Sequence, residues 1–153
     1  MRTLFSLWLL CTAVLLQARS PGVILQELNA LYEGTVRFRL DQEDRLVTDL
    51  FDRTGHFRQD VVYIEFLDPN GFKFSEEETA VVMTCAADHA NCIEKEVFRM
   101  NVIRHTGRSV FPLAAGDAEG ARAIGLLAAL VSEAQQEIAR KAAETHARPQ
   151  RKR

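Results

Sequence analysis

Three cysteines, four prolines and eight glycines are scattered through 153 residues, and tryptophan occurs once. So few cysteines exclude a disulfide-dense miniprotein, and so little proline and glycine excludes collagen-like and low-complexity chains. An excess of one charge is also missing: 19 Lys and Arg meet 21 Asp and Glu, a formal net of −2. A chain so balanced is not, as a whole, a basic nucleic-acid binder. Signature loops are wanting too. Gly116, Gly120 and Gly125 are spaced through a helix start. They are followed by no Gly-Lys-Ser/Thr and form no Gly-x-Gly-x-x-Gly, so neither a phosphate nor a dinucleotide loop is present. Asp68-Pro69-Asn70-Gly71 supplies only a fragment of a calcium loop. His105 and Ser109 lie four residues apart on a turn, both expected to be exposed, with no nucleophile elbow around them. The acids Asp41, Glu43, Asp44 and Glu76, Glu77, Glu78 also fall on turns. Turns lack the dry pocket that raises a general acid's pKa. No catalytic residue, metal or cofactor is assigned on these grounds.

What is there begins with an address. Arg2 precedes an apolar run from Leu4 to Leu16, which exits through Gln17-Ala18-Arg19-Ser20. A positive start, a short apolar core and a small-residue exit make a secretory signal peptide over residues 1–18, with cleavage after Ala18. The run is too short to span ~30 Å of hydrocarbon. Cleavage after Ser20 would leave Pro21 next to the cut, and Cys11 lacks the small residues that precede a lipidated cysteine. No second apolar segment is long enough to cross a membrane, so the expected product is a soluble protein, secreted or periplasmic. Residues 21–145 are expected to form one globular domain, and 146–153 a basic disordered tail.

Cys85 and Cys92 remain after the leader, in a compartment that permits disulfides. Two readings stand. One is a disulfide that staples a six-residue loop and fixes a hairpin. The other is a metal site, Cys85-x3-His89-x2-Cys92, for which His56, His105 and His146 offer no spaced fourth ligand.

Leu25, Leu28, Leu31 and Tyr32 recur at helical spacing behind Pro21, which predicts a short helix over 21–32 ended by Gly34. Thr35 to Leu40 alternates strictly, a half-buried strand. Further strands are expected at 45–51, at 61–67, at 72–74 and at 79–85, then as one long strand at 93–104 and a last short one at 109–113. Asp68-Pro69-Asn70-Gly71 reads as a turn with Gly71 at positive φ. Asp117 is the expected N-cap, and Glu119 the first-turn acid, of a terminal helix that frays between 141 and 146. Its apolar stripe holds Ile124, Leu127, Val131, Ala134 and Ile138, widened by Leu126 and Leu130. Gly120 and Gly125 are expected to let its backbone approach a sheet. Strands segregated from helices indicate α+β. The order suits a curved antiparallel sheet of six to seven strands, a pleckstrin-homology-like partial barrel, capped by the C-terminal amphipathic helix. A flatter sheet with helices on one face is the alternative.

The segment Asp60-Val61-Val62-Tyr63-Ile64-Glu65-Phe66-Leu67-Asp68, with Thr84-Cys85 and Asn91-Cys92-Ile93-Glu94-Lys95-Glu96-Val97-Phe98, resembles a group of small exported bacterial proteins. Those carry a paired-cysteine hairpin and a C-terminal helix. The likeness covers roughly residues 34–135. It implies the strand order and the Cys85–Cys92 pair, and no catalytic residue.

Charge asymmetry is the remaining functional hint. Residues 41–80 hold eleven acids and four bases, whereas no acid lies between 97 and 116, where Arg99, Arg104, His105 and Arg108 cluster. On a pleckstrin-homology-like fold, such a surface would receive an anionic headgroup or an acidic peptide. Alternatively, Arg99 and Arg104 pair with the acidic turns and keep the protein soluble. The leading expectation is a non-enzymatic binding module for a protein or anionic ligand, contacting it through Arg99, Arg104, Arg108 and an exposed sheet edge. An enzyme with a site of scattered residues and a purely structural envelope component are the alternatives. A dry pocket holding His56 or His105 beside a carboxylate would favour the enzyme.

Overall fold

The computed structural model describes residues 19–147. The expected signal peptide, and the tail beyond residue 147, lie outside the described residues. Helix α1 (Pro21–Tyr32) precedes eight strands and helix α2 (Ala121–Ala147) follows them. The strands are β1 (Val36–Leu40), β2 (Arg45–Asp52), β3 (Gly55–Tyr63), β4 (Leu67–Ser75), β5 (Ala80–Cys85), β6 (Ile93–Val97), β7 (Val102–Thr106) and β8 (Arg108–Pro112). All pairs are antiparallel, so the α+β class holds. Instead of one sheet of six or seven strands there are two, ordered β1-β2-β3-β6-β7 and β4-β5-β8.

The chain changes sheets at places where the sequence runs on unbroken. The expected strand over 61–67 stops at Tyr63; a 3-10 turn at Ile64–Phe66 carries the chain across, and β4 starts in the smaller sheet. The expected strand over 93–104 is a hairpin, turned by a 3-10 segment at Phe98–Met100 and by Asn101 at φ 48°. Asp68-Pro69-Asn70-Gly71 is no turn between strands. It is an irregularity inside β4, between Leu67, which faces Cys85, and Phe72, which faces Met83. Gly71 is required there by crowding and not by positive φ: a Cβ would sit 2.9 Å from the Thr84 Oγ1 and 3.0 Å from its carbonyl oxygen.

The two sheets bury a common core. Val36, Phe38, Leu46, Leu50 and Val62 of the larger meet Phe72, Val81, Met83 and Phe111 of the smaller. The Phe38 and Phe111 rings meet edge to face at 5.7 Å. Helix α1 closes this core with Ile24, Leu28, Leu31 and Tyr32, a stripe that uses Ile24 where Leu25 was expected. Helix α2 lies against β4 and α1 and buries Ala123, Leu127, Leu130, Val131 and Ala134. It runs to Ala147, past the expected fraying point. Asp117 caps it from a distance: its carboxylate accepts the Arg122 and Ala123 N–H groups, each at 2.9 Å. The 3-10 turn Ala118–Gly120 intervenes, with Glu119 at φ 55°, so Glu119 is not a first-turn residue of α2. Beside Asp117, the Tyr32 phenol is pushed above its ordinary range, by burial first and then by the Asp117 charge.

Cys85 and Cys92 are bonded, with an S–S distance of 2.13 Å. The bond does not staple a hairpin, because β5 and β6 belong to different sheets. It ties the sheets together at one end. Sulfurs joined to each other are not thiolate ligands, which removes the Cys85-His89-Cys92 metal reading. His89 lies with its ring 4.2 Å from that of Phe66.

Gly120 does allow close approach, since a Cβ there would fall 2.4 Å from the Val81 Cγ2, at φ +66°. Gly125 does not: nothing lies within 4 Å of its Cβ position. Gly120→Ala is therefore expected to cost about 2–4 kcal/mol, and Gly125→Ala to add about 0.5–1 kcal/mol, both read by urea unfolding. Replacing both Cys85 and Cys92 by serine should cost about 2–3 kcal/mol on the chain-entropy argument for so short a loop.

Candidate functional site

Register places one row of side chains across the larger sheet: Phe38, Thr48, Asp60, Lys95 and Arg104. Side chains alternate faces along each strand, so the next row on this face is Val36, Leu50, Arg58, Val97 and Val102. Both rows begin apolar and buried at β1; at β7 one ends in the exposed Arg104 and the other in the half-buried Val102. The inner face therefore carries the core at one end and a group of charges at the other.

Asp60 is fully buried. Arg58 reaches its Oδ2 with Nη2 at 3.2 Å and also donates to the Val110 carbonyl at 2.6 Å, across the gap between sheets. Ser109, on β8, donates its hydroxyl to Asp60 from the opposite sheet. This corrects the expectation that Ser109 is exposed: it is fully buried, and its proton goes to a carboxylate and not to a histidine. Asp60 Oδ1 and Arg58 Nε are buried with no hydrogen-bond partner. Lys95 stands opposite Asp60 in the register and lies within 3.5 Å of the Arg108 carbonyl oxygen. Burial raises the Asp60 carboxyl above its ordinary value, against the lowering pull of Arg58, Ser109 and Lys95. Burial likewise pushes the Lys95 ammonium down; Asp60 opposes that, while Arg58 and Arg108 add to it. The ammonium thus stands among guanidinium groups at the half-buried rim of the cleft.

The three arginines singled out from the sequence do not form one surface. Arg99 sits at the β6–β7 hairpin tip and pairs with Asp52 at 2.8 Å, also donating to Thr54. Arg108 lies beyond the other end of β7 and pairs with Glu78 of the acidic turn. Arg104 stands between them on β7, exposed and opposite Lys95, with no ion pair among the described residues. Pairing with acidic turns thus accounts for Arg99 and Arg108 but not for Arg104. Arg58 and Lys95 are the residues that sequence reading missed. Their signal was periodic: the step of two from Arg58 to Asp60, in a strand whose pairing partners were not visible.

The outer face carries a second cluster. His56 is stacked on Phe51 at 4.8 Å, meets Phe98 edge-on at 4.6 Å, and lies 3.1 Å from the Asp49 carboxylate. Gln59 and Arg39 donate to the same carboxylate. This imidazole is held beside an acid, with a third of its side chain open to solvent. His105, the other histidine weighed, is exposed, 3.9 Å from Glu94. Among the described residues no group of three His, Cys, Asp or Glu is placed to hold a metal ion, and no helix is long and apolar enough to cross a membrane.

No family model matches the chain, and no curated protein or solved structure matches it.

The raised Asp60 carboxyl fixes a sign. Below the ordinary value of 3.8 the group is protonated whether folded or unfolded. As pH rises past that value, the unfolded chain ionises first, so the wild type loses stability until the folded group has ionised as well. Asp60→Asn, which keeps the shape and cannot ionise, should lack this loss. Urea unfolding of both proteins between pH 3 and 7 should show the variant gaining on the wild type as pH rises.

Proposed function

We propose that this chain is an exported, non-enzymatic binding module that captures an anionic group on the open end of its larger sheet. The observation that carries the reading is the charge balance there. Arg58 pairs with Asp60 and Arg108 with Glu78, whereas Lys95 and the exposed Arg104 have no ion pair among the described residues. Lys95 is partly desolvated, which strengthens its attraction for an anion relative to a fully hydrated ammonium. The leader-like residues 1–18 and the disulfide support export to a periplasmic or extracellular setting. The likeness to small exported bacterial proteins belongs to the same reading. The pleckstrin-homology-like affinity is supported by two antiparallel sheets and a C-terminal helix, while the chain passes between the sheets more than once.

The arginines should differ in weight. Arg99 and Arg108 already hold carboxylates, and Arg104 does not. Fluorescent oligoglutamate should bind the mature protein at low salt and dissociate as salt screens the charges. Arg104→Glu should weaken binding at least about tenfold, which is ~1.4 kcal/mol, and Arg99→Glu should weaken it less. Neither should move the melting temperature by more than a degree or two, because exposed charges contribute little to stability. Equal effects of the two variants, or unfolding of Arg104→Glu, would refute the assignment.

A further inference from the structure

The two sheets have four free edges, and three are capped by side chains. On β1, Asn29 of α1 donates to the Phe38 carbonyl at 2.9 Å and accepts the Phe38 N–H at 2.7 Å. On β4, Gln135 of α2 donates to the Leu67 carbonyl at 2.9 Å. On β8, Arg58 donates to the Val110 carbonyl at 2.6 Å. The fourth edge is β7. Cys85 N–H reaches Gly107, just past its end, at 3.0 Å. Among the described residues, no side chain or neighbouring element is hydrogen-bonded to the main chain of residues 102–105 on the open side. Ile103 and Met100, each 59% exposed, lie along this edge and its hairpin tip. An uncapped edge with exposed apolar side chains is a template for another strand.

Charge decides which strand. No acid lies between residues 97 and 116, and the edge itself carries Arg104, which has no ion pair among the described residues, and His105, 3.9 Å from Glu94 of β6. A second copy pairing antiparallel about Arg104 would set the two arginines opposite each other, which opposes it. The tail from Arg148 to Arg153 holds four bases and is opposed in the same way.

We propose that β7 is a strand-addition site for an extended acidic segment of a partner protein. This rests on the anion-capture reading and names its partner. Arg104 faces one side of the sheet, Ile103 and His105 the other. An antiparallel added strand would therefore place carboxylates opposite Arg104 and His105 and an apolar residue opposite Ile103. Main-chain hydrogen bonds would supply affinity, and these three positions would supply choice.

The test uses a blocked octapeptide with Glu-Glu-Val at its centre and Thr and Val in the flanks. Two further versions are N-methylated at odd or at even positions, and a fourth carries Lys for Glu. The parent should bind the mature protein and shift the amide NMR signals of residues 102–106. One of the two N-methylated versions should bind at least about tenfold more weakly, because only alternate residues of an added strand donate to the sheet. The Lys version should lose as much, and so should the parent on Arg104→Glu. Parent-like binding by both N-methylated peptides would overturn strand addition and leave anion capture standing. Failure of both the octapeptide and oligoglutamate to bind would overturn both. Dimerisation that Ile103→Lys abolishes, without peptide binding, would assign the edge to a second copy and overturn the proposal.

Discussion

The burial of a five-stranded sheet against a three-stranded one is the contact on which everything else rests. Strands sit about 4.8 Å apart, so the outer strand axes of the two sheets are separated by about 19 Å and about 10 Å. The smaller sheet cannot cover the larger. Helices α1 and α2 complete the cover beside β1 and β4. Towards β6 and β7 the cover thins: Ile93 is still buried in the core, but Lys95 is half-buried, and on β7 Val102, Arg104 and Thr106 are half-buried or exposed. Lys95 and Arg104 break up what would otherwise be a continuous apolar patch with Val97 and Val102. The mismatch in width therefore produces an overhang that carries Lys95 and Arg104, and there an external group has access.

Where cover gives way to overhang, Arg58, Asp60 and Ser109 bridge the sheets. Isolated charges cannot be buried cheaply; this carboxylate is tolerated because it holds a guanidinium and a hydroxyl, although the Arg58 Nε and Asp60 Oδ1 stay without a partner. The bridge sits at the polar end of the gap, and the Cys85–Cys92 bond ties the sheets elsewhere. A slip of one residue in either sheet would move Asp60 or Ser109 to the wrong face. The bridge thus specifies how the sheets face one another, beyond any net stability it contributes.

Strand alternation in β1 and the amphipathic pattern of α2 were legible in the sequence because each reports a single face meeting a single core. The sheet changes were not. Val61 to Leu67 is rich in β-branched and aromatic residues, and nothing in such a run marks Tyr63 as the last residue paired in one sheet. Ile93 to Arg104 hid its reversal for a different reason. The turn is made by a 3-10 segment and Asn101, without glycine or proline. Pro69 and Gly71 erred the other way, since a turn signature was accommodated as an irregularity within a strand. Ser109 was misplaced because its burial depends on Asp60, 49 residues away, across a gap that local pattern does not see.

The same long-range geometry sorts the arginines. Arg99 docks the β6–β7 tip onto the β2–β3 turn through Asp52, and Arg108 holds the acidic turn through Glu78. Exposed ion pairs of this kind are worth about 0–1 kcal/mol, so they position the hairpin without locking it. Arg104 lies between these two anchored ends with no carboxylate of its own among the described residues, beside Lys95, whose ammonium the cleft partly desolvates. A carboxylate arriving there gains an unneutralised field instead of competing for a charge already shared. The sequence run without acids from 97 to 116 therefore matters less for its total charge than for the one arginine that the fold leaves unmatched.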